Sequence, residues 1–358
     1  MSEITRIDVR PLSVRMPRPW VPEAPDLHLV RVDVEDRDGG VGSGFSWTPT
    51  VGARAVAALL EDDIRRFALG RDSDPTVLWP ALWAHLHEAG GGGITTIALA
   101  GLDLALWDLR ARSRGVGVPD LLGRTQERLP VYGSGVNLHY TEAELAAQVE
   151  RWVERGIRAV KIKVGRPDLG EDVARVALVR EILGADRQLM IDANQRWDVD
   201  RATRAMSALA PFDLTWIEEP LRSDDTAGYR ELARRITTPI ALGENLHTVH
   251  RFREALDAGF AAVVQPNVIR VGGITPFLEI AGLAEERGVR LAPHLLPDLS
   301  AQLAVTLPRT TWVEDVEDAG FDALGILAAP SPVRIEGAWA TVSSAPGLGL
   351  DLIEPAVA

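Results

Sequence analysis

Seven polar residues, Lys163, Asp192, Glu218, Glu244, Asn267, His294 and Glu314, stand at or just beyond the ends of short apolar runs, at intervals of 20–29 residues. Three of them are acids in successive positions of the series. Asp192 closes Leu189-Met-Ile-Asp192, Glu218 closes Trp216-Ile-Glu218, and Glu244 closes Ala241-Leu-Gly-Glu244. Runs this apolar are buried on both faces, so each terminal carboxylate is poorly hydrated. Three such carboxylates facing one another repel unless a cation sits between them. Ligands made only of oxygen suit a hard cation, Mg²⁺ first and Mn²⁺ second. One acid at a loop start would be ordinary surface chemistry. Three in successive repeats point to a metal.

Lys161 and Lys163 lie in Ala159-Val-Lys-Ile-Lys-Val-Gly165. Residues two apart on a strand share a face, so both ammonium groups project the same way. Like charges at that spacing are expected to lower each other's pKa, and a lysine able to lose its proton is a general base. His294, in Leu291-Ala-Pro-His294, is a candidate second acid or base, against the plainer reading of a satisfied core histidine. Glu314 has two readings of equal weight: a protonated carboxyl that holds a substrate oxygen, or an ordinary salt bridge.

The elements that must position these groups follow from the hydrophobic period. Short β-branched runs (131–134, 159–163, 189–192, 214–218, 240–244, 261–265, 289–294 and 311–314) alternate with amphipathic helical runs such as 142–155, 171–183 and 275–287. Strand–helix alternation means a parallel sheet, and eight strands suit a closed barrel. In a barrel the carboxyl ends of the strands converge on one ring, which brings the seven residues together. Ahead of this region, 4–14, 28–35 and 41–47 read as antiparallel strands around a hairpin turn at 36–40. Helical patterns at 51–68, 76–89 and 94–112 follow, the last apolar nearly all round. The expected architecture is an α/β fold, a modified (β/α)8 barrel of the (β/α)7β kind with an α+β capping domain. Residues 1–125 form the cap, 126–320 the barrel, and 321–358 a segment that packs back on the cap.

Composition removes several function classes. The net charge of −13 repels nucleic acid. A small anionic carboxylate substrate is still compatible, because a bound cation and local lysines reverse the sign within one cleft. Cys is absent, which excludes thiolate metal sites and a cysteine nucleophile. No run is apolar enough for a signal peptide or a membrane span, so a cytoplasmic location is expected. Gly90-Gly-Gly-Gly93 lacks the following Lys of a phosphate loop, and Gly39–Gly44 lacks the helix that dinucleotide binding requires.

Taken together, these residues make the chain resemble the enolase superfamily, and within it the mandelate racemase subgroup. The resemblance runs through Gly42-Ser-Gly-Phe-Ser-Trp-Thr48 and the helical segment Ala98–Asp108. It continues through Lys161-Ile-Lys163, Ile191-Asp-Ala-Asn194, Trp216-Ile-Glu-Glu-Pro220, Gly243-Glu-Asn245 and Arg270-Val-Gly-Gly-Ile274. It implies Asp192, Glu218 and Glu244 as Mg²⁺ ligands, Lys163 as a base tuned by Lys161, and His294 as acid or base on the opposite face of the substrate. It implies that the cap closes over the barrel and that the loop 16–26 and 46–48 contact substrate, with Trp20, Trp47 and Asn194 as the substrate-binding candidates. An even-numbered homo-oligomer is also implied. The chemistry implied is removal of the proton α to a carboxylate through an enediolate, a mechanism that the general account of this superfamily already supplies.

One position departs from the subgroup. Where the subgroup places Asp beside the histidine, Gln265-Pro-Asn-Val268 places Asn267. An amide carries no charge to stabilise imidazolium, so His294 is expected to be a weaker base, which counts against a symmetric two-base racemase. Dehydration of a sugar acid to a 2-keto-3-deoxy acid is therefore the leading expectation. Epimerisation or cycloisomerisation of a hydroxy acid comes next, and a non-catalytic acid-sugar-binding relative is the remaining reading.

Overall fold

The computed structural model describes residues 2–353 except 21, 22, 24 and 310. Strands β1 (Ile4–Arg15), β2 (Asp26–Asp36) and β3 (Val41–Thr48) form an antiparallel sheet in that order. The β2–β3 turn is closed by Asp36 Oδ1, which accepts from the N–H groups of Asp38 and Gly40 at 3.1 and 2.8 Å. Helices α1 (Ala53–Leu59) and α2 (Arg65–Ala68) are continuous through one wide turn at Leu60–Ile64, and α3 (Pro75–His85) is capped by Asp74. Helix α4 (Ile94–Arg112) then lies across the sheet, buried at nearly every position. The sheet meets it through glycine: a Cβ at Gly42 would sit 2.2 Å from the Ala105 carbonyl oxygen, and one at Gly44 2.4 Å from that of Gly101. A short α5 (Val118–Leu122) ends the cap.

Eight strands and seven helices then alternate. They are β4 (Arg128–Ser134), α6 (Glu142–Glu154), β5 (Ala159–Lys163), α7 (Leu169–Leu183), β6 (Gln188–Asp192), α8 (Val199–Leu209), β7 (Trp216–Glu218), α9 (Thr226–Arg235), β8 (Ile240–Leu242), α10 (Val249–Asp257), β9 (Val263–Val264), α11 (Ile274–Glu286), β10 (Arg290–Leu291), α12 (Pro297–Ala304) and β11 (Val313–Val316). β4 to β10 pair in parallel order, and β11 returns to pair with β4, so the barrel is of the (β/α)7β kind. Between β10 and β11 the described residues form no ladder; there the Thr311 hydroxyl donates to the Leu291 carbonyl. One side chain from nearly every strand fills the lumen: the large Tyr132, Met190 and Trp216 pack with the smaller Ala159, Ala241, Val263 and Ala292.

Several barrel strands are shorter than the sequence pattern suggests. The sixth and seventh, read as 261–265 and 289–294, are only Val263–Val264 and Arg290–Leu291. Pro266 and Pro293 have no N–H to continue a ladder, so Asn267 and His294 stand in the loops beyond. Glu244 likewise lies past its strand, after Gly243 at φ 146°. The eighth strand is shifted to 313–316, and the helix read over 76–89 ends at His85 with a separate tight turn at His87–Ala89.

After the barrel the chain doubles back. β12 (Val333–Glu336) and β13 (Trp339–Val342) form a hairpin, and β13 pairs antiparallel with the start of β4. The last described stretch is sewn to both parts of the molecule. Leu348 N–H donates to Asp108 of the cap at 2.6 Å, and its carbonyl accepts from Gln302 of α12 at 2.8 Å. Arg112 of the cap pairs with Asp351 at 2.7 Å, and the Arg31 guanidinium donates to the Leu352 carbonyl.

A second pin joins cap and barrel directly. Asp103 of α4 accepts from the Thr275 N–H and hydroxyl, at 3.0 and 2.6 Å, at the start of α11. Complete burial pushes its carboxyl up from 3.8 to about 7, against those hydrogen bonds. The proton is therefore held more tightly in the folded chain than in the unfolded one. The stability this confers is full below the ordinary carboxylate range and is lost as pH rises to about 7. Asp103→Asn keeps an acceptor for the Thr275 N–H and has no charge to bury. In thermal melts the variant should match the wild type in acid and exceed it above neutrality; parallel pH profiles would contradict the assignment.

Candidate active site

The carboxyl-end mouth of the barrel holds every charged residue singled out above. Lys163, Asp192 and Glu218 are direct neighbours in register across β5, β6 and β7. The Lys163 ammonium lies 2.5 Å from Asp192 Oδ2. Lys161, two residues back on the same face, is fully buried between Glu218 at 2.7 Å and Glu314 at 2.8 Å, with Asp192 at 3.7 Å. Asp192 turns its other oxygen to the Asn194 N–H at 2.8 Å, where the loop passes through left-handed backbone at Asn194 and Gln195. On the far side of the ring, Glu244 Oε2 is 2.7 Å from His294 Nε2, and Glu244 Oε1 accepts from the Asn245 amide at 2.8 Å.

The electrostatics correct two sequence expectations. The lysines do not lower each other below the ordinary range. Burial depresses Lys161, but Glu218 and Glu314 outweigh it and hold Lys161 well above 10.5. Lys163 is likewise raised: burial and Lys161 pull it down, and Asp192, Glu244 and Glu218 pull it up further. Nor is Glu314 a protonated donor. Burial alone would raise it, but Lys161, His294 and a hydrogen bond from Ser134 bring its carboxyl down to about 2. Glu314 is thus the salt-bridge partner of Lys161, and it also accepts the Leu295 N–H at 2.8 Å.

The ring carries more negative charge than its cations balance. Asp192, Glu218, Glu219, Glu244 and Glu314, all buried, face Lys161, Lys163 and Arg270, so full ionisation would leave two negative charges unbalanced. Glu218 shows the strain: burial, together with Asp192, Glu314 and Glu244, pushes it well above the carboxylate range despite Lys161. Glu219 is pushed up to about 8 by burial and by Glu244. A dication bound there would offset that repulsion. The ligand atoms that lie within 4.8 Å of one another belong to Glu218, Glu244 and His294, whereas Asp192 is turned toward Lys163. Donor chemistry favours Asp192, Glu218 and Glu244 for a hard cation, since Mg²⁺ prefers carboxylate oxygen to imidazole.

His294 is set by its neighbour. Asn267 Oδ1 accepts two backbone N–H groups, from Ile269 and Arg270, each at 3.1 Å. The amide orientation is thereby fixed, and its NH₂ faces His294 Nδ1 at 3.1 Å. Nδ1 must accept, so in the neutral ring the proton sits on Nε2, the nitrogen that faces Glu244. With Asp in place of Asn267 the hydrogen bond would run the other way, and Nε2 would be the basic atom.

Trp20 and Trp47 meet edge to face with centroids 5.9 Å apart, on the cap side of the mouth. They share a small cavity with Leu295 and Leu296, the two residues after His294. Of the loop expected to cover substrate, residues 21, 22 and 24 lie outside the described residues. Another cavity opens at the opposite end of the barrel, lined by Pro130, Trp216, Glu285, Arg290 and Trp312, away from the ring of carboxylates at the mouth.

Sequence reasoning gave no role to four supporting residues. Gln265 donates to Glu218 Oε2 at 2.6 Å, and Asn137 accepts the Lys163 N–H at 3.0 Å. Asn245 bridges Glu219, at 2.6 Å, to Glu244, and Arg270 donates to the Asn245 side-chain Oδ1 at 2.6 Å. Gln265, Asn245 and Arg270 are adjacent to, or a few residues from, assigned positions, and a buried polar residue beside a buried charge is a usable signal. Asn137 lies 26 residues from Lys163, on another loop, and no local pattern marks it.

A capped (β/α)7β barrel whose mouth holds buried carboxylates, two lysines and a histidine defines a class of metal-dependent enzymes that act on carboxylates. The chain belongs to the mandelate racemase/muconate lactonizing enzyme family of the enolase superfamily: residues 7–123 match its N-terminal domain, and residues 144–356 match the enolase C-terminal domain-like family. It is 40% identical, over 91% of its length and 90% of the relative's, to a 3,6-anhydro-alpha-L-galactonate cycloisomerase of Streptomyces coelicolor. A racemase from S. coelicolor A3(2) with bound magnesium superposes with a TM-score of 0.91 at 37% identity, covering 98% of this chain and 97% of that one. An L-talarate dehydratase from Polaromonas sp. JS666, complexed with Mg and L-glucarate, gives 0.87 at 36% identity over 99% and 96%. The chain is accordingly a Mg-dependent enzyme of this superfamily. Among the described residues, no helix is long and apolar enough to cross a membrane.

Proposed function

We propose that the protein breaks the C3–O bond of an acid sugar by β-elimination, yielding a 2-keto-3-deoxy acid, with Asp192, Glu218 and Glu244 holding Mg²⁺. Bound there, the ion stabilises the negative charge that develops on the substrate carboxylate. With Asp192 drawn to the ion, Lys163 would lose the carboxylate that holds its proton, and it then removes the α proton. The C–H electron pair becomes the C2–C3 double bond, and the C3–O bond breaks. The departing oxygen meets the Nε2–H of His294, and the enol product tautomerises to the keto acid. A free hydroxyl leaves as water; an ether oxygen stays on the chain and the ring opens. Dehydratase and 3,6-anhydro cycloisomerase activities are thus one elimination with different leaving groups.

The observation that carries this reading is the Asn267 amide donating to His294 Nδ1. It makes Nε2 the proton-bearing nitrogen of the neutral ring, a donor on the face opposite Lys163, which suits leaving-group departure and not a second base. Incubation with Mg²⁺ and a panel of acid sugars in D₂O, following keto acid formation and deuterium uptake, tests it. Elimination should run from substrates whose α proton faces Lys163, without epimer accumulation. Asn267→Asp should reverse the hydrogen bond and make Nε2 basic. Exchange or epimerisation from the His294 face should then rise relative to elimination by about tenfold or more, the scale of one general base partly restored. An unchanged product ratio would remove Asn267 from the account.

A further inference from the structure

Beyond Ser134, β4 offers β5 no further partner. The last pair between the two strands is Ser134 with Lys161, so the ladder stops two residues short of Lys163. The Lys163 N–H would then be a buried donor with no carbonyl to meet. Asn137 Oδ1 takes that place at 3.0 Å. Asn137 is itself fully buried, and its amide NH₂ donates to Gln148 Oε1 at 2.8 Å. Gln148, buried on α6, donates in turn to Oε2 of Glu317, the residue after β11, at 2.8 Å. Gly135 makes room for this contact: a Cβ there would sit 2.6 Å from Gln148 Oε1 and 2.9 Å from the Asn137 amide nitrogen.

The series of bonds has one direction. An ionised carboxylate can only accept. Burial pushes Glu317 up, but Arg151, at 2.9 and 3.0 Å, Gln148 and Arg18 outweigh it and hold its carboxyl below the usual range. Glu317 therefore takes the Gln148 NH₂, and the Gln148 oxygen is left facing Asn137. Asn137 meets that oxygen with its own NH₂, and its oxygen is left for the Lys163 N–H. Arg18 of the cap lies 3.5 Å from the same Glu317 carboxylate. Arg175 donates to the Asn137 and Tyr140 carbonyls at 2.9 Å each, which fixes the turn that carries Asn137.

We propose that Glu317, Gln148 and Asn137 are positioning residues for Lys163: a carboxylate outside the ring orients two buried amides in series, and the second of them sets where β5 delivers the base. This rests on Lys163 as the base of the elimination above. Among the described residues, none of the three bonds to Asp192, Glu218 or Glu244, so their loss should slow proton removal and leave the metal site intact.

Reversing the polarity tests this. In Asn137→Asp both side-chain oxygens accept, and one of them meets the Gln148 oxygen. Gln148 cannot turn without setting that oxygen against Glu317. Glu317→Gln alone keeps an oxygen for Gln148 and should cost less. Combined, the two substitutions let both bonds of Gln148 turn round, keep the acceptor for the Lys163 N–H, and conserve net charge. With the Mg²⁺-loaded protein and an acid sugar of the panel above that turns over, Asn137→Asp should lower kcat about tenfold or more, the scale of one buried mismatch. KM and Mg²⁺ affinity should stay within about twofold, as expected where ground-state binding is untouched. The double variant should recover to within about threefold of the wild type, a coupling that independent losses cannot give. Gln148→Leu, which breaks the series in the middle, should lower kcat as Asn137→Asp does. Hydrogen exchange of the 159–163 amides, read by mass spectrometry, should rise and fall in the same order, and it is measured with or without turnover. Additive losses in the double variant, or Gln148→Leu with wild-type kcat and wild-type exchange, overturn the positioning role. Neither result touches the identity of the base, which Lys163→Ala decides.

Discussion

Lys163→Ala should abolish turnover and α-proton exchange together, by at least about 10³-fold, the upper range for loss of a positioned general base. No other ammonium can substitute: Lys161 is fully buried and committed to Glu218 and Glu314. The variant frees Asp192 from its 2.5 Å partner, so it should keep or strengthen its Mg²⁺ affinity, which separates loss of the base from loss of the site. Lys161→Ala behaves differently. It strips Lys163 of a like-charge neighbour that lowers its pKa and leaves Glu218 and Glu314 unpaired. Its rate should fall less, and its pH optimum should move upward as the ascending limb set by Lys163 shifts to higher pH. Isothermal titration with Mg²⁺ and exchange measured by NMR across pH distinguish the two variants. Exchange at the wild-type rate in Lys163→Ala would place the base elsewhere.

Glu218→Gln should have an equally large effect on activity and an opposite one on the metal-free fold. Glu218 is buried and crowded by three other carboxylates, so its charge is a liability until a cation binds. Removing it relieves that repulsion and preserves shape, and although one of the two donors at Gln265 and Lys161 loses its acceptor, Lys161 keeps Glu314 at 2.8 Å. The variant should melt at or above the wild-type temperature without metal. It should then gain little when Mg²⁺ is added, whereas the wild type gains about 2.7 kcal/mol at a hundredfold excess over Kd. Activity should be lost even at saturating Mg²⁺. Asp192→Asn and Glu244→Gln should also lose metal stabilisation, but Glu244 is held well below the carboxylate range by His294, Arg270 and Lys163 against its burial, so its removal should cost metal-free stability. A wild-type melting temperature indifferent to Mg²⁺ would be incompatible with these three residues as its ligands.

What the sequence made legible followed from periodicity and charge. The parallel barrel, the antiparallel cap and the buried helix over 94–112 come from patterns of apolar residues that no loop could disguise. The ring of acids stood out because a carboxylate closing a wholly apolar run has few uses. Two kinds of information were hidden. One was the count of charges in three dimensions: two adjacent lysines suggested mutual repulsion, yet the carboxylates around them outnumber them and reverse the sign. The other was orientation. The sequence names Asn267, but only its bonds to the Ile269 and Arg270 N–H groups show which end of the amide meets His294. The seventh strand reads in the sequence through Pro293 to His294, past the point where a residue without an N–H stops the ladder.

The stitching of the last residues onto Asp108, Arg112 and Gln302 bears on how such proteins can be recombined. The cap has two suppliers, the start of the chain and its end, with the barrel in between. A chimera joined once near residue 125 would pair one parent's helix at 94–112 with another parent's terminus, and both would have to agree at Leu348 and Asp351. Cap and barrel are therefore poor candidates for inheritance as separate cassettes. A graft that moves substrate preference from one relative to another should carry both chain ends from a single parent, or confine itself to the loops at the mouth.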